Sequence, residues 1–460
     1  MKVFLSGVAG TGMSSLAGLF KMVNYEVLGS DSHFYPPVDQ ILDRMDIQLF
    51  TGYDSKNIPD DVDFCIVGNI IPRGNPELEF ILNNKIPYYS MADALYKFFI
   101  REKKSVVVAG THGKTTTTSL VAFILEQAGL EPGFFVGGQP LNFENNYHTG
   151  KGAHFVIEGD EYETCFFDRS SKFLKYYPDY LFLTSLEYDH IDFFKSEDLY
   201  LYSFKNLVNQ VPSNGLIIVN NDYDLNREAV EKAFCQVISY GKKDADVIIK
   251  NIQVAQEGYQ FTLQHGNEII ELESNLIGEY NLWNMCAAYI FARHIGMDSD
   301  VIKRGIKNFK GVSRRLNEIN RIDNSLFFED FAHHPTAIAN VIQSMRHMYP
   351  DYEIIAVFEP RCWSLRRNHF QDRLMQALSG ADRLIMKEVF EKELIPEGQA
   401  LDTAKLIKQI QEMGKRADVL DTVEEILTEI RGINTREKNV ILVLSNGAFG
   451  NLPQILRDLS

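Results

Sequence analysis

The chain has no C-x-x-C pair, no run of eighteen apolar residues, no internal repeat, no low-complexity stretch and no excess of positive charge. Each absence removes a class of protein. Cys65, Cys165, Cys235, Cys286 and Cys362 are odd in number and widely scattered, which excludes a disulfide framework and reads as reduced, buried thiols in a reducing, cytoplasmic compartment. Without a long apolar run there is no transmembrane helix and no membrane partner to expect. A net charge of -16 argues against binding a nucleic-acid backbone and for handling small substrates, with local cationic pockets still able to hold anions. The mostly apolar stretch from Lys2 to Phe20 resembles a signal peptide, but Gly7, Gly10 and Gly12 interrupt it in a pattern that fits a folded unit better.

At 460 residues the chain exceeds one hydrophobic core, so two to three domains are expected. Residues 2 to 6 read as a buried strand, Gly7 to Gly12 as a glycine turn, Met13 to Met22 as a helix, and Glu26 to Leu28 as a second strand ending at Ser30-Asp31. This is a βαβ nucleotide-binding start, with an acid about twenty residues beyond the glycines. The spacing is G-x-x-G-x-G rather than G-x-G-x-x-G. A bound diphosphate such as that of a UDP-sugar therefore fits better than a nicotinamide cofactor, and the bland alternative is glycines serving helix packing alone. A strand at Phe64 to Val67 leads into the polar loop Gly68 to Pro76, and the charged run Arg101 to Lys104 closes a first domain, 1–104.

The strongest local signal follows. Val106-Val107-Val108-Ala109 is an apolar β-branched run, Gly110-Thr111-His112-Gly113-Lys114-Thr115-Thr116 a glycine loop, and the apolar pattern through Leu120, Val121, Ile124 and Leu125 a helix. A loop between strand and helix aims backbone N–H groups and the positive end of the helix dipole at an anion, the lysine neutralises terminal phosphates, and Thr115 can ligate magnesium. Valine stands at 108 where the full Walker pattern has glycine, so this is a shortened G-x-x-G-K-T. Strands at His154 to Ile157 and Tyr180 to Leu186 deliver Glu158-Gly159-Asp160-Glu161 and Glu187-Tyr188-Asp189-His190-Ile191-Asp192. Both acidic clusters are expected on the sheet edge that carries the phosphate loop. Thr115, Glu158 and His190 are the candidate Mg2+ ligands, against the plainer readings of a solvated acid and a structural histidine.

From Asp246 to Ile277 the pattern changes to short alternating strands, with turns at Glu257-Gly258 and His265-Gly266-Asn267, which predicts a small β insertion. Helical character returns at Tyr280-Asn281-Leu282-Trp283-Asn284, and Met285 to Ile295 continue its apolar face. The glycine-arginine turn Gly311 to Arg315 marks the second boundary, giving domains 105–313 and 314–460. In the last, strands at Leu326 to Phe328, Glu353 to Phe358, Arg383 to Met386 and Val440 to Leu444 alternate with helices. Polar clusters at Glu329 to Pro335, Glu359-Pro360-Arg361 and Ser445-Asn446-Gly447 fall at strand ends, so they should share one edge. The expected fold is α/β: a Rossmann-like first domain, a P-loop ATPase domain with a mostly parallel sheet, and a Rossmann-like third domain.

Taken together, Gly7-x-x-Gly-Thr-Gly, Ala109-Gly-Thr-His-Gly-Lys-Thr-Thr, Glu158-x-Asp-Glu, Asp189-His-x-Asp, Gly278-Glu-Tyr-Asn-Leu-Trp-Asn, Arg314-Arg315 and Asp330-Phe-Ala-His-His-Pro-Thr resemble the Mur ligases over nearly the whole chain. These are ATP-dependent enzymes that add amino acids or peptides to UDP-N-acetylmuramic acid precursors. Gly68-Asn-x-x-x-Arg-Gly-Asn-Pro, Gly29-Ser-Asp followed by Tyr35-Pro-Pro, Glu161-Tyr with Phe166-Phe-Asp, and Ser445-Asn-Gly-x-Phe-Gly look most like the branch that joins the recycled tripeptide L-alanyl-γ-D-glutamyl-meso-diaminopimelate to UDP-N-acetylmuramate. The branch that adds L-alanine is the alternative.

The resemblance implies ATP and Mg2+ as cofactors. It further implies Lys114, His190, His333 and His334 as catalytic, and Gly110 to Thr116 with Asn281, Arg315 and Asp330 around the nucleotide. It places Gly7, Gly10, Thr11, Gly12, Asp31, Arg73 and Glu161 around the substrate. Tyr280, Asn317 and Glu329 depart from the branch's usual histidine, acid and aspartate. Lys205 lies near where several members carry a carbamylated lysine; a plain surface lysine is the expectation here. Two other readings compete: a nicotinamide-dependent oxidoreductase gives the phosphate loop no task, and a regulatory P-loop NTPase leaves Gly7 to Asp31 unexplained.

Overall fold

The computed structural model describes residues 1–34, 38–190, 193–255 and 258–459. Tyr35-Pro36-Pro37, Ile191-Asp192 and Glu257, named above, lie outside the described residues. Three large β-sheets flanked by helices organise them, beside a two-stranded ribbon of Glu163–Cys165 and Asp168–Ser171. The first has five strands, all pairing in parallel, with Lys2–Ser6 at its centre between Glu26–Asp31 and Phe64–Val67. The expected βαβ start is present: the strand Lys2–Ser6 passes through the glycine turn into the helix Thr11–Met22, whose face from Met13 to Phe20 is buried. Within the polar loop 68–76, Asn75 caps a helix, Pro76–Asn83, by accepting the Glu77 and Leu78 N–H groups.

The second sheet has ten strands. Lys104–Ala109 lies between Tyr180–Leu183 and His154–Gly159, all parallel, because apolar β-branched runs buried on both faces suit a covered parallel sheet. The alternating strands Val247–Val254, Tyr259–His265 and Glu268–Ser274 form an antiparallel meander. It is continuous with this sheet, since Val247 and Ile248 pair in parallel with Tyr240 and Gly241. The predicted insertion is thus an extension of the central sheet. The strand expected to run to Leu186 stops at Leu183, because Thr184 and Ser185 turn beneath the phosphate loop.

The third sheet has six strands, with Asn439–Leu444 between Ser325–Asp330 and Glu353–Phe358 in parallel register. The three polar clusters therefore do emerge from adjacent strand ends. Two outer strands, Asn317–Ile322 and Arg416–Leu420, escaped the sequence reading. One apolar core runs through the first sheet and one face of the second, joining Val3, Phe20 and Ile66 to Phe155, Leu181 and Phe204. The two faces of the third sheet carry cores of their own, around Phe358 and Met386 on one side and Ile441 and Phe449 on the other.

Candidate active site

The phosphate loop sits where the strand Lys104–Ala109 hands over to the helix Lys114–Gln127. Two of its positions admit only glycine. Gly110 has φ +132° and a Cβ there would lie 2.4 Å from Thr184 Oγ1; Gly113 has φ +83° and a Cβ would lie 2.5 Å from Asn284 Oδ1. The loop is fixed from beneath: Thr111 N–H donates to Ser185 O at 2.5 Å, His112 N–H to Ser185 Oγ at 2.9 Å, and Thr184 Oγ1 to His112 O at 2.5 Å.

Lys114 Nζ donates to Gly110 O at 2.6 Å and to Glu161 Oε1 at 2.9 Å. Burial would lower its pKa, but the negative charges of Glu161 and Glu158 prevail and hold it raised. Glu161, 1% exposed, also meets His190 Nε2 at 3.1 Å. Burial raises the carboxyl pKa of Glu161, and Lys114 and His190 outweigh it, leaving the group below its ordinary value. Glu161, expected around the substrate, lines the cleft between the phosphate-loop lysine and His190.

Thr115 Oγ1 donates to Glu158 Oε1 at 3.0 Å, and Gly137 N–H to Glu158 Oε2 at 2.8 Å. Burial dominates at Glu158 and pushes its carboxyl up despite Lys114. A threonine oxygen and an under-neutralised carboxylate are hard donors suited to Mg2+, so these two residues fit the ion that the resemblance implies. His190, at φ +53°, uses Nδ1 toward Tyr162 OH at 2.8 Å and Nε2 toward Glu161. The neighbouring Asp189 is buried, and the histidines 190, 334 and 333 hold it far below its usual range although burial opposes them.

The third sheet closes the opposite wall of a cleft of about 1600 Å3, lined among others by Lys114, Glu158, His190, Arg315, Asp330 and His333. Asp330 is pushed up to about 6 by burial, against the pull of Arg315. Its two oxygens accept N–H groups of Leu316 and Ala332 at 2.8 and 2.7 Å, so it shapes the turn that presents Arg315. Arg314 turns into its own sheet, donating to Glu329 and to the Ser445 and Gly447 carbonyls. Arg315 packs its guanidinium 5.0 Å from the Phe331 ring centre on the cleft wall. His333 and His334 are held neutral by burial, at about 4 and about 3. Across the junction, Ser364 Oγ donates to Asp189 Oδ1 at 3.3 Å, and Thr336 Oγ1 to Glu187 Oε1 at 3.2 Å.

Several expected site residues fall elsewhere. Asn281 is not on the cleft wall: its amide donates to Ile277 O, and its oxygen accepts from Asn284, which faces the loop instead. From the first glycine turn only Thr11 reaches this cleft. Gly7 N–H donates to Ser30 O, Ala9 N–H to Asp31 Oδ2 at 2.9 Å, and the other oxygen of Asp31 accepts from Ser32 and Tyr53, so Asp31 braces the turn. Space in front of Gly10 is open, while Gly12 packs close to Met91. Arg73 is exposed and paired with Glu79 at 2.9 Å. Lys205 is paired with Glu228 at 2.8 Å, away from the cleft, as a plain surface lysine would be. Sequence reading missed Glu77, fully buried beneath the first turn, where it accepts the Ser6 and Ser30 hydroxyls at 2.6 Å. It also missed Gly137-Gly138 on the cleft wall, although the apolar run before them, Phe134-Phe135-Val136, is a strand-end signal.

Three units built on mostly parallel sheets, with a phosphate loop facing acids, histidines and an arginine across a closing junction, define a nucleotide-dependent α/β enzyme. Comparison with known families narrows the class. Residues 5–103 match the Mur ligase family catalytic domain, 108–292 the Mur ligase middle domain, and 314–447 the Mur ligase glutamate ligase domain. The chain is 34% identical, over 100% of its length and 98% of the relative's, to the UDP-N-acetylmuramate–L-alanyl-γ-D-glutamyl-meso-2,6-diaminoheptandioate ligase of Escherichia coli K12. It is 29% identical to the UDP-N-acetylmuramate–L-alanine ligase of Clostridium acetobutylicum, over 97% and 95% of the two chains. The crystal structure of a murein peptide ligase from Psychrobacter arcticus 273-4 superposes with a TM-score of 0.73 at 28% identity, covering 100% and 99%. The chain belongs to the Mur ligase family. Among the described residues no helix is long and apolar enough to cross a membrane.

Proposed function

We propose that this chain is a cytoplasmic, ATP-dependent ligase that joins L-alanyl-γ-D-glutamyl-meso-diaminopimelate to UDP-N-acetylmuramate. It would do so through domains 1–104 for the UDP-sugar, 105–313 for ATP, and 314–460 for closure and the incoming amine. The observation that supports this reading best is the gathering of Lys114, Glu158, Glu161 and His190 opposite Arg315 and His333 around one cleft. The full-length similarity to a tripeptide ligase favours the tripeptide. L-Alanine as the amine is the second reading, favoured by the similarity to an L-alanine ligase over nearly the whole chain.

Amide formation from a carboxylate in water is uphill, so the carboxyl oxygen first attacks the γ-phosphorus of ATP. The bond to ADP breaks and an acyl phosphate forms. The peptide amine then attacks the acyl carbon, phosphate leaves, and the amine's proton passes to a base. Lys114 donates to the transferring phosphoryl oxygens, and loop N–H groups hold the chain of phosphates. Thr115 and Glu158 would hold Mg2+, which supplies charge neutralisation on the phosphoryl group, and His190 would join them by releasing its contact with Tyr162 or Glu161. Arg315 approaches from the far wall, and His333, neutral at physiological pH, is placed to take the amine's proton. Water is excluded when the third domain closes, protecting the acyl phosphate. Incubating the protein with ATP, Mg2+ and UDP-N-acetylmuramate, then adding tripeptide or L-alanine separately, tests the reading. Phosphate release with tripeptide is expected; release with L-alanine alone selects the second reading, and release with neither removes both.

A further inference from the structure

We propose that His112, Glu187 and His334 form a transition-metal site, separate from the Thr115–Glu158 pair, that takes Zn2+ in preference to Mg2+ and ties the phosphate loop to the third sheet. His112 belongs to the loop, Glu187 follows the strand Tyr180–Leu183, and His334 precedes the helix Pro335–Met348. Their candidate ligand atoms all lie within 4.8 Å of one another. His112 Nε2 stands 2.9 Å from Glu187 Oε2, and His334 Nδ1 stands 3.6 Å from the same oxygen. Four-coordinate zinc, with bonds of about 2.0–2.2 Å, spaces its ligands by roughly 3.3–3.6 Å. The existing gaps bracket that spacing, so the ion fits with small side-chain adjustments.

The hydrogen bonds supply a second argument. His334 Nδ1 accepts the Thr336 N–H at a stretched 3.3 Å, so Nδ1 carries a lone pair and the ring proton is on Nε2, which has no partner among the described residues although His334 is 2% exposed. No proton lies between Nδ1 and the Glu187 oxygen 3.6 Å away, and a cation that draws the Nδ1 lone pair from the stretched Thr336 contact exchanges that one weak hydrogen bond for two bonds, to Nδ1 and to the carboxylate. Two imidazoles and one carboxylate form a borderline-soft set that suits zinc and leaves a fourth position open, whereas Mg2+ favours oxygen. The Arg373 guanidinium, which donates to Thr336 Oγ1 at 3.1 Å, is the nearby opposing charge. Because its ligands come from both sides of the junction, a bound ion would hold the halves together and slow their opening. That consequence rests on the closure reading above; the binding does not.

The test uses the full chain without nucleotide or sugar. Zn2+ is titrated by calorimetry in excess Mg2+, and Co2+ by its visible spectrum. One tight Zn2+ per chain is expected, with the strong visible absorption of four-coordinate Co2+, and with affinity falling at least ~tenfold in Glu187→Gln and in His112→Asn but not in His190→Asn. Absence of tight binding in the wild-type chain overturns the proposal, and so does tight binding that survives the first two substitutions or vanishes with the third. Ligase assays run in Mg2+ alone answer the separate question of the reaction, so either reading can fail without the other.

Discussion

Replacing Lys114 by alanine separates what its ammonium does for folding from what it does for chemistry. The group stands between Gly110 O and two buried acids, Glu161 and Glu158. Removing it leaves Glu161, 1% exposed, with only His190 as a charge partner. Breaking a buried pair from one side costs ~3–5 kcal/mol, which for a domain of this size lowers the unfolding midpoint by about 10 °C. Taking the stranded charge away should restore much of that loss. The double variant Lys114→Ala/Glu161→Gln should therefore melt above the single variant while remaining as inactive. Loss of one charged donor to the transferring phosphoryl reduces turnover by at least ~10^2–10^3-fold. Thermal unfolding and a coupled assay of ADP release measure the two effects. Turnover in Lys114→Ala within about tenfold of wild type would refute the phosphoryl role, and a double variant that melts no higher than the single would refute the charge argument.

Asp330 offers a pH test. Its folded-state pKa is raised to about 6 from an ordinary 3.8, so the folded chain binds the proton more tightly than the unfolded one. Stability from this group is present at low pH and lost as pH rises from about 4 to 6, by roughly 3 kcal/mol. Subtracting the urea-unfolding free energy of Asp330→Asn from that of wild type across pH 4 to 7 should reveal this decline; a flat difference contradicts it. Gly113→Ala should cost about 2 kcal/mol or more, since left-handed strain adds to the contact with Asn284 Oδ1 at 2.5 Å, and weaken ATP binding; calorimetric affinity equal to wild type would count against the loop geometry. Arg73→Ala should leave both the unfolding midpoint and the KM for UDP-N-acetylmuramate unchanged, because Arg73 is exposed and engaged with Glu79. A KM rise of tenfold would return Arg73 to the sugar site.

Although Leu216–Asn220, equally buried and parallel, was passed over, most of the buried parallel strands were legible in the sequence because strands covered on both faces are written as uninterrupted apolar runs, as in Val106-Val107-Val108 or Val440 to Leu444. Asn317–Ile322 and Arg416–Leu420 were not, because each lies at the edge of its sheet and pairs with one neighbour. Polar residues such as Asn320 and Asp418 cost nothing there. The alternation of residues 247 to 274 showed the strands but not their continuity with the central sheet, which depends on the tertiary pairing of Tyr240 with Val247. In the site, residues fixed by local chain geometry were readable: the phosphate loop, the acids at strand ends, the turn before Pro335. Glu161 and Asp31 were expected around the substrate, and the structure adds a bracing contact that spacing does not show: Glu161 meets Lys114, 47 residues away, and Asp31 meets Ala9 and Tyr53, each 22 residues away, whereas Asn281 bonds locally, to Ile277 and Asn284. Nothing in a linear spacing records such a choice.

The apolar core shared by the first sheet and one face of the second makes those two units a single thermodynamic body, whereas the third stands on cores of its own. Heat should melt the chain in two steps rather than three, and a ligand that bridges the cleft should merge them. A substitution under the first glycine turn, at Glu77 for instance, would then be felt by the phosphate loop as lost stability well before it is felt by the third unit.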